Sequence, residues 1–209
     1  MENWKGVKMQ RVKTIVLVII PLLISMVIIT SAIYLNSIPQ FFLPETLQNI
    51  AYIAMLLNTI LFIKVSKKSL RDIGLFPFRL LRQFAVGGVI GAIFLVGGIL
   101  TGWRISLMEN SLYFIISQIL VALSEELLFR GYILTMLKDV VKTPDRAVFI
   151  SALIFGLWHY PISHNIGLVL ITAFTGAVYG SLRTIFEKTE DEIGIISLTA
   201  SHWLFNIVL

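Results

Sequence analysis

Two glutamates and an arginine lie close together inside a long apolar stretch of this 209-residue chain. Glu125, Glu126 and Arg130 interrupt an apolar run that covers residues 111 to 137. A charged side chain at the middle of a membrane-spanning helix costs about 2.5 to 3.5 kcal/mol on insertion scales, and such residues are typically functional. The three charges are therefore the first candidates for chemistry.

Their spacing separates their roles. Glu126 and Arg130 are four residues apart with the acid first, the order that favours an ion pair on one helix face. Glu125 is about 500° around the helix from Arg130, at about 100° per residue, and so faces a different direction. We expect a structural ion pair between Glu126 and Arg130. The alternative is a buried network of all three charges that only locks helices together, although apolar replacements of such networks are often at least as stable.

Two further pairs of residues repeat the spacing of one helical turn. Phe155 and His159 form one pair, and His202 and Asn206 form the other, so each pair projects from one helix face. Each histidine taken singly also fits a hydrogen-bonded core or interfacial residue. For His159 a structural role is as well supported as a functional one, because Pro161 is expected to end its helix.

The three motifs fall at similar depths in their predicted spans. At about 1.5 Å of rise per residue, Glu125 and His159 each lie about 20 Å from the cytoplasmic end of a span. His202 and Asn206 lie about 14 to 20 Å from the start of the last span. A carboxylate, two imidazoles and an amide can therefore meet in one layer of the membrane.

Such a set of groups suits hydrolysis. A desolvated carboxylate can take a proton from water, and a neutral imidazole can orient that water. Amide and imidazole donors can stabilise the oxyanion of a tetrahedral intermediate. A zinc ion is the alternative, with Glu125, His159 and His202 as ligands, because one glutamate and two histidines form a known zinc ligand set. The helical His-Glu-x-x-His motif is absent, so we expect that no metal or other cofactor is required.

The composition places the chain in the membrane. Hydrophobic residues make up 57% of it and the mean hydropathy is +0.88, against about 45 to 50% apolar residues in soluble domains. The net charge of +5 comes from basic residues between apolar runs, which act as topology signals and indicate no nucleic-acid partner. The absence of cysteine excludes disulfides, thiolate catalysis and cysteine zinc sites.

The apolar runs predict an all-α fold, a polytopic transmembrane helical bundle in a single domain, residues 1–209. About seven spans are expected, near residues 14–35, 46–63, 84–103, 111–137, 147–162, 166–186 and 193–209, since about 20 helical residues cross the hydrocarbon core. The first run is too long for the apolar region of a signal peptide, about 7 to 15 residues. We therefore interpret it as a retained span.

Lysines and arginines occur mainly in alternate connections between these spans. The longest basic connection covers residues 64–82 and includes a turn at Gly74 and Pro77. Because cytoplasmic loops carry an excess of basic residues, this alternation predicts a cytoplasmic amino terminus.

Together, Glu125 Glu126 x x x Arg130, Phe155 x x x His159 and His202 x x x Asn206 resemble the motifs of the CPBP family. This family comprises the CAAX proteases and bacteriocin-processing enzymes and is also called the Abi family. The resemblance covers residues 70–209, while the two spans within residues 1–63 match only in kind.

The resemblance implies an intramembrane endopeptidase of the bacterial plasma membrane, described as glutamate-dependent with a metalloprotease alternative. Its substrate would be a membrane-associated peptide or protein that reaches the site from the cytoplasm or from lipid. Glu125 with His159 would activate water, and His202 with Asn206 would form the oxyanion hole. It also leads us to expect that a further span of some relatives is missing after Leu209.

A different class of function fits the same fold. Some relatives are non-proteolytic membrane interaction proteins that confer bacteriocin self-immunity or regulate a sensor kinase. Retention of the complete motif set favours an enzyme, because a scaffold has no need of an unpaired acid at mid-membrane. The sequence assigns neither a substrate nor an oligomeric state.

Overall fold

The computed structural model describes residues 2–38, 44–76, 79–100, 112–141, 143–187 and 193–208. Every regular element within these residues is a helix, as the sequence predicted. The elements are α1 (Glu2–Asn36), α2 (Pro44–Val65), α3 (Leu80–Leu100), α4 (Leu112–Glu126), a π-helical segment (Leu127–Ile133), α5 (Leu134–Val140), α6 (Pro144–Trp158), α7 (Tyr160–Ser163), α8 (Ile166–Ile185) and α9 (Ile195–Val208).

Five helical stretches are long and apolar enough to cross a membrane. They are Met9–Asn36, Thr46–Val65, Leu80–Leu100, Leu112–Val140 and Ile166–Ile185. Helices α6 and α9 are apolar but shorter, with 15 and 14 residues, so the prediction of about seven spans is confirmed in outline. A helix satisfies its own backbone hydrogen bonds, which the hydrocarbon core cannot do, and this favours helices for these apolar runs.

The stretch Leu112–Val140 forms the centre of the bundle. Of its most apolar window, 56% is buried, against 17% for α3. Phe129 is fully buried and packs edge-to-face against Phe155 and Trp158 of α6, with ring centroids 5.0 and 5.4 Å apart. The charged motif thus lies on the most enclosed helix, where protein rather than lipid surrounds it.

Helix α6 ends earlier than the sequence indicated. Its last residue is Trp158, and His159 follows in a turn. The backbone N–H of His159 donates to the Gly156 carbonyl at 3.1 Å. Pro161 does not end this helix, because it lies within the short α7. The missing N–H of a proline has no consequence in the first turn of a helix.

The connection between α2 and α3 folds against the ends of α8 and α9. Gly74 has φ of +76°, a left-handed conformation that glycine adopts without penalty, as the predicted turn requires. Its carbonyl accepts from the Ile195 N–H at 2.8 Å, at the start of α9. The backbone N–H and hydroxyl of Ser69 donate to the Asp72 carboxylate and hold its pKa below the ordinary value. Pro77 lies outside the described residues.

Candidate active site

The central helix changes its hydrogen-bond pattern directly after Glu126. In the π-helical segment, the Leu134 N–H donates to the Phe129 carbonyl, five residues earlier. The Ser151 hydroxyl of α6 donates to the same carbonyl at 3.1 Å. Such π-helical turns are frequent at functional sites, and the sequence pattern gave no indication of this one.

Glu126 and Arg130 form a buried ion pair. The Nη1 atom of Arg130 donates to Oε1 of Glu126 at 3.1 Å, and the two side chains are 2% and 0% exposed. The guanidinium carbon lies 3.8 Å from the centroid of the Phe155 ring, a distance at which a cation is attracted to the ring face. The pair thus neutralises two of the three charges within the membrane.

His202 lies between the two glutamates. Its Nδ1 is 2.9 Å from Oε1 of Glu126, a hydrogen bond, and its Nε2 is 3.9 Å from Oε2 of Glu125. The second distance is too long for a hydrogen bond, but it suits a single bridging oxygen atom. One turn further along α9, Nδ2 of Asn206 donates to Oε1 of Gln118 at 3.2 Å.

Glu125 is buried, with 3% of the residue exposed. The phenolic hydroxyl of Tyr52 in α2 donates to its Oε1 at 3.1 Å. Among the described residues, no lysine or arginine forms an ion pair with Glu125. Of the two acids, Glu125 is therefore the one that no permanent cation neutralises. The sequence does not identify Tyr52 as a site residue, because one tyrosine in an apolar helix does not differ from an ordinary core or interfacial tyrosine.

His159 is anchored through its own helix. Its Nδ1 lies 2.9 Å from the Phe155 carbonyl, which can only accept, so Nδ1 carries a hydrogen. The ring also packs edge-to-face on Phe155, with centroids 4.7 Å apart. Among the described residues, no hydrogen bond joins His159 to Glu125.

The motif residues surround one cavity of about 200 Å³. Its polar lining comes from three helices and the turn after α6, with Glu126, Arg130, His159, Thr172, Thr175, Tyr179, His202 and Asn206. Glu125 is not among the described lining residues, and its Oε2 lies 3.9 Å from Nε2 of His202, which does line the cavity. The structure thus brings both histidines, Asn206 and Glu126 to one cavity, with Glu125 directly next to it.

The described residues do not form a ligand set for the zinc ion considered as an alternative. Within the described residues, no group of three or more His, Cys, Asp or Glu side chains is placed to hold a metal ion. In particular, Glu125, His159 and His202 do not converge on a common point as ligands. We therefore derive no catalytic step through a metal.

Comparison with known proteins gave one match to a protein family. Residues 107–208 match the family model described as type II CAAX prenyl endopeptidase, Rce1-like. The matched range contains every motif residue of the cavity and Glu125, and it begins after α1, α2 and α3. No curated protein and no solved structure matches the chain.

Proposed function

We propose that this chain, whose residues 107–208 match the Rce1-like family model, is an intramembrane endopeptidase of the CPBP family. It hydrolyses a peptide bond in a membrane-associated protein or peptide. The observation that carries this proposal is the position of His202, which contacts Glu126 and faces Glu125 at the wall of the cavity shared with His159 and Asn206.

Glu125 is the general base in this proposal. A water molecule would bridge the Glu125 carboxylate and the His202 ring, which lie 3.9 Å apart. Nε2 of His159 would accept a hydrogen bond from this water and orient it. As the water oxygen bonds to the peptide carbonyl carbon, its proton passes to Glu125. When the C–N bond breaks, Glu125 returns this proton to the leaving amine.

His202 and Asn206 stabilise the oxyanion. Asn206 offers an amide N–H, and His202 can donate from Nε2 when both ring nitrogens carry hydrogen, since Nδ1 already faces a carboxylate.

An apolar cavity next to the site supports a membrane-associated substrate. It has a volume of about 750 Å³ and lies between α3 and α8, and it shares Phe94, Thr175 and Phe205 with the polar cavity. A hydrophobic segment can thus approach the site from lipid. We also propose a bacterial plasma membrane location, on the resemblance of the motifs to the CPBP family. The distribution of basic residues supports a cytoplasmic amino terminus. We further propose that the activity needs no metal cofactor.

The test uses purified protein in lipid with a membrane-anchored reporter that releases a fluorophore on cleavage. Glu125→Gln and His159→Ala should each lower kcat by about 10²- to 10⁴-fold, the usual contribution of a general base. His164→Ala is the matched control, because this histidine lies in the turn before α8, away from the described cavity lining, and it should keep full activity.

Cleavage by Glu125→Gln at the wild-type rate would refute the proposed base. A cellular phenotype that persists in that variant would favour the non-proteolytic interaction protein. Stoichiometric zinc in active protein, with activity lost to chelator and restored by zinc, would refute the metal-free mechanism.

A further inference from the structure

We propose that Tyr52 is a positioning residue that keeps the Glu125 carboxylate out of direct contact with His202, so that the reacting water can bridge the two groups from one side. This inference rests on the proposed function, in which Glu125 is the base. It adds a residue from α2, which lies outside the matched residues 107–208. Family membership alone therefore does not assign this role.

Two hydrogen bonds fix Tyr52 to the stretch that carries the acids. Its hydroxyl donates to Oε1 of Glu125 at 3.1 Å, and its backbone carbonyl lies 3.2 Å from the Ser124 hydroxyl, whose hydrogen it shares with the Leu120 carbonyl at 2.6 Å. Both tyrosine and glutamate are buried, at 8% and 3% exposure. The phenol is therefore held against Glu125 from the backbone as well as from the ring.

The distance on the other side of the carboxylate shows what this contact does. Oε2 of Glu125 stays 3.9 Å from Nε2 of His202, whereas a carboxylate and a ring N–H in direct contact approach to about 2.7 to 2.9 Å. The hydrogen bond from Tyr52 to Oε1 holds the carboxylate back. An oxygen atom about 2.8 Å from both partners would lie about 2 Å to one side of the line that joins them, where it can accept from the ring N–H and donate to the carboxylate.

Removing the phenolic hydroxyl should let Glu125 close onto His202 and expel the water. Tyr52→Phe should therefore lower kcat by about 10- to 100-fold, as expected for a lost hydrogen bond to a charged group. KM should stay unchanged, because Tyr52 is not among the described residues that line either cavity. This split separates a role in positioning the base from a role in substrate binding.

Tyr113→Phe is the matched control. Asn49 of α2 donates to the Tyr113 hydroxyl of α4 at 2.7 Å, so this variant also removes a tyrosine-mediated bond between α2 and α4. Tyr113 is 44% exposed and is not among the described residues that line the cavity. We expect Tyr113→Phe to keep the wild-type kcat, with thermal unfolding of both variants measured in parallel.

Three outcomes would overturn the inference. Wild-type kcat in Tyr52→Phe, with Glu125→Gln inactive in the same assay, would refute the role of Tyr52 and leave the proposed function intact. Equal losses of kcat in Tyr52→Phe and Tyr113→Phe would show that the effect comes from the packing of α2 on α4. Wild-type activity in Glu125→Gln would refute both proposals together.

Discussion

At the scale of single residues, the two adjacent glutamates have different surroundings although both are buried. Oε1 of Glu126 contacts both Nη1 of Arg130 and Nδ1 of His202. Its Oε2 has no hydrogen-bond partner among the described residues, and neither has Nη2 of Arg130. The Glu125 carboxylate accepts from the Tyr52 hydroxyl and lies 3.9 Å from the His202 ring, and among the described residues it forms no ion pair with a lysine or arginine. Glu126 is thus suited to hold the site together, and Glu125 to exchange protons.

The buried ion pair makes a stability prediction. Arg130→Met should destabilise the folded protein by about 3 to 5 kcal/mol, because it leaves Glu126 as an uncompensated charge away from water. The double variant Glu126→Gln with Arg130→Met should recover much of that loss, since no charge then remains unpaired. Unfolding in detergent, followed by heat or denaturant, measures both. Equal stability of Arg130→Met and wild type would contradict a structural role for the pair.

At the scale of helices, glycines on α3 set the position of α9 and hence of His202. A Cβ atom built at Gly87 would lie 2.3 Å from the Ser197 carbonyl oxygen and 2.7 Å from the Ala200 Cβ. Only a glycine allows the two helix backbones to approach this closely. Because α9 carries two site residues, this contact fixes their distance from the central helix.

The contact between α3 and α9 can be tested with neighbouring glycines. Gly87→Ala should lower the thermal unfolding temperature and kcat together, because the added methyl group pushes α9 away from α3 and displaces the site residues that α9 carries. Gly88→Ala should leave activity unchanged and stability equal or higher, since its Cβ would meet nothing within 4 Å and alanine gains about 1 kcal/mol in helix propensity. Wild-type behaviour of Gly87→Ala would exclude a close contact at this point.

At the scale of the whole molecule, polar chemistry and apolar binding lie next to each other. The cavity with the motif residues and the apolar cavity between α3 and α8 meet at Phe94, Thr175 and Phe205. The apolar cavity is the larger, at about 750 Å³ against about 200 Å³. A hydrophobic portion of the substrate can therefore be bound apart from the water that attacks the scissile bond.

Narrowing the apolar cavity should affect binding of the substrate more than its hydrolysis. Gly97 lines this cavity, and a Cβ atom there would meet nothing within 4 Å, so the side chain of Gly97→Leu starts in open space and reduces the volume of the cavity. We expect KM for a membrane-anchored reporter to rise about tenfold, the scale of discrimination in a hydrophobic pocket, with kcat retained. Gly88→Leu adds the same side chain on α3 outside the described cavity lining and should change neither value. An unchanged KM in Gly97→Leu would exclude the cavity as a binding site for this reporter.

The helical membrane bundle and the residues of the three motifs can be predicted from the amino-acid sequence alone. Apolar runs of about 20 residues can satisfy their backbone only as helices in lipid, and the spacing of four residues places Glu126 beside Arg130 on one face. These relations are local, within one run or one helical turn. They can therefore be worked out without knowing how the helices pack.

The contacts between helices become known only from the tertiary structure. Tyr52 and Glu125 are 73 residues apart, and His202 and Glu126 are 76 apart, so their meeting depends on how each helix is rotated against the next. Spans that are apolar on every side give no pattern from which that rotation can be predicted. Only the packing of α2 and α9 on the central helix places Glu125 between a phenol and an imidazole, next to the cavity rather than in its lining.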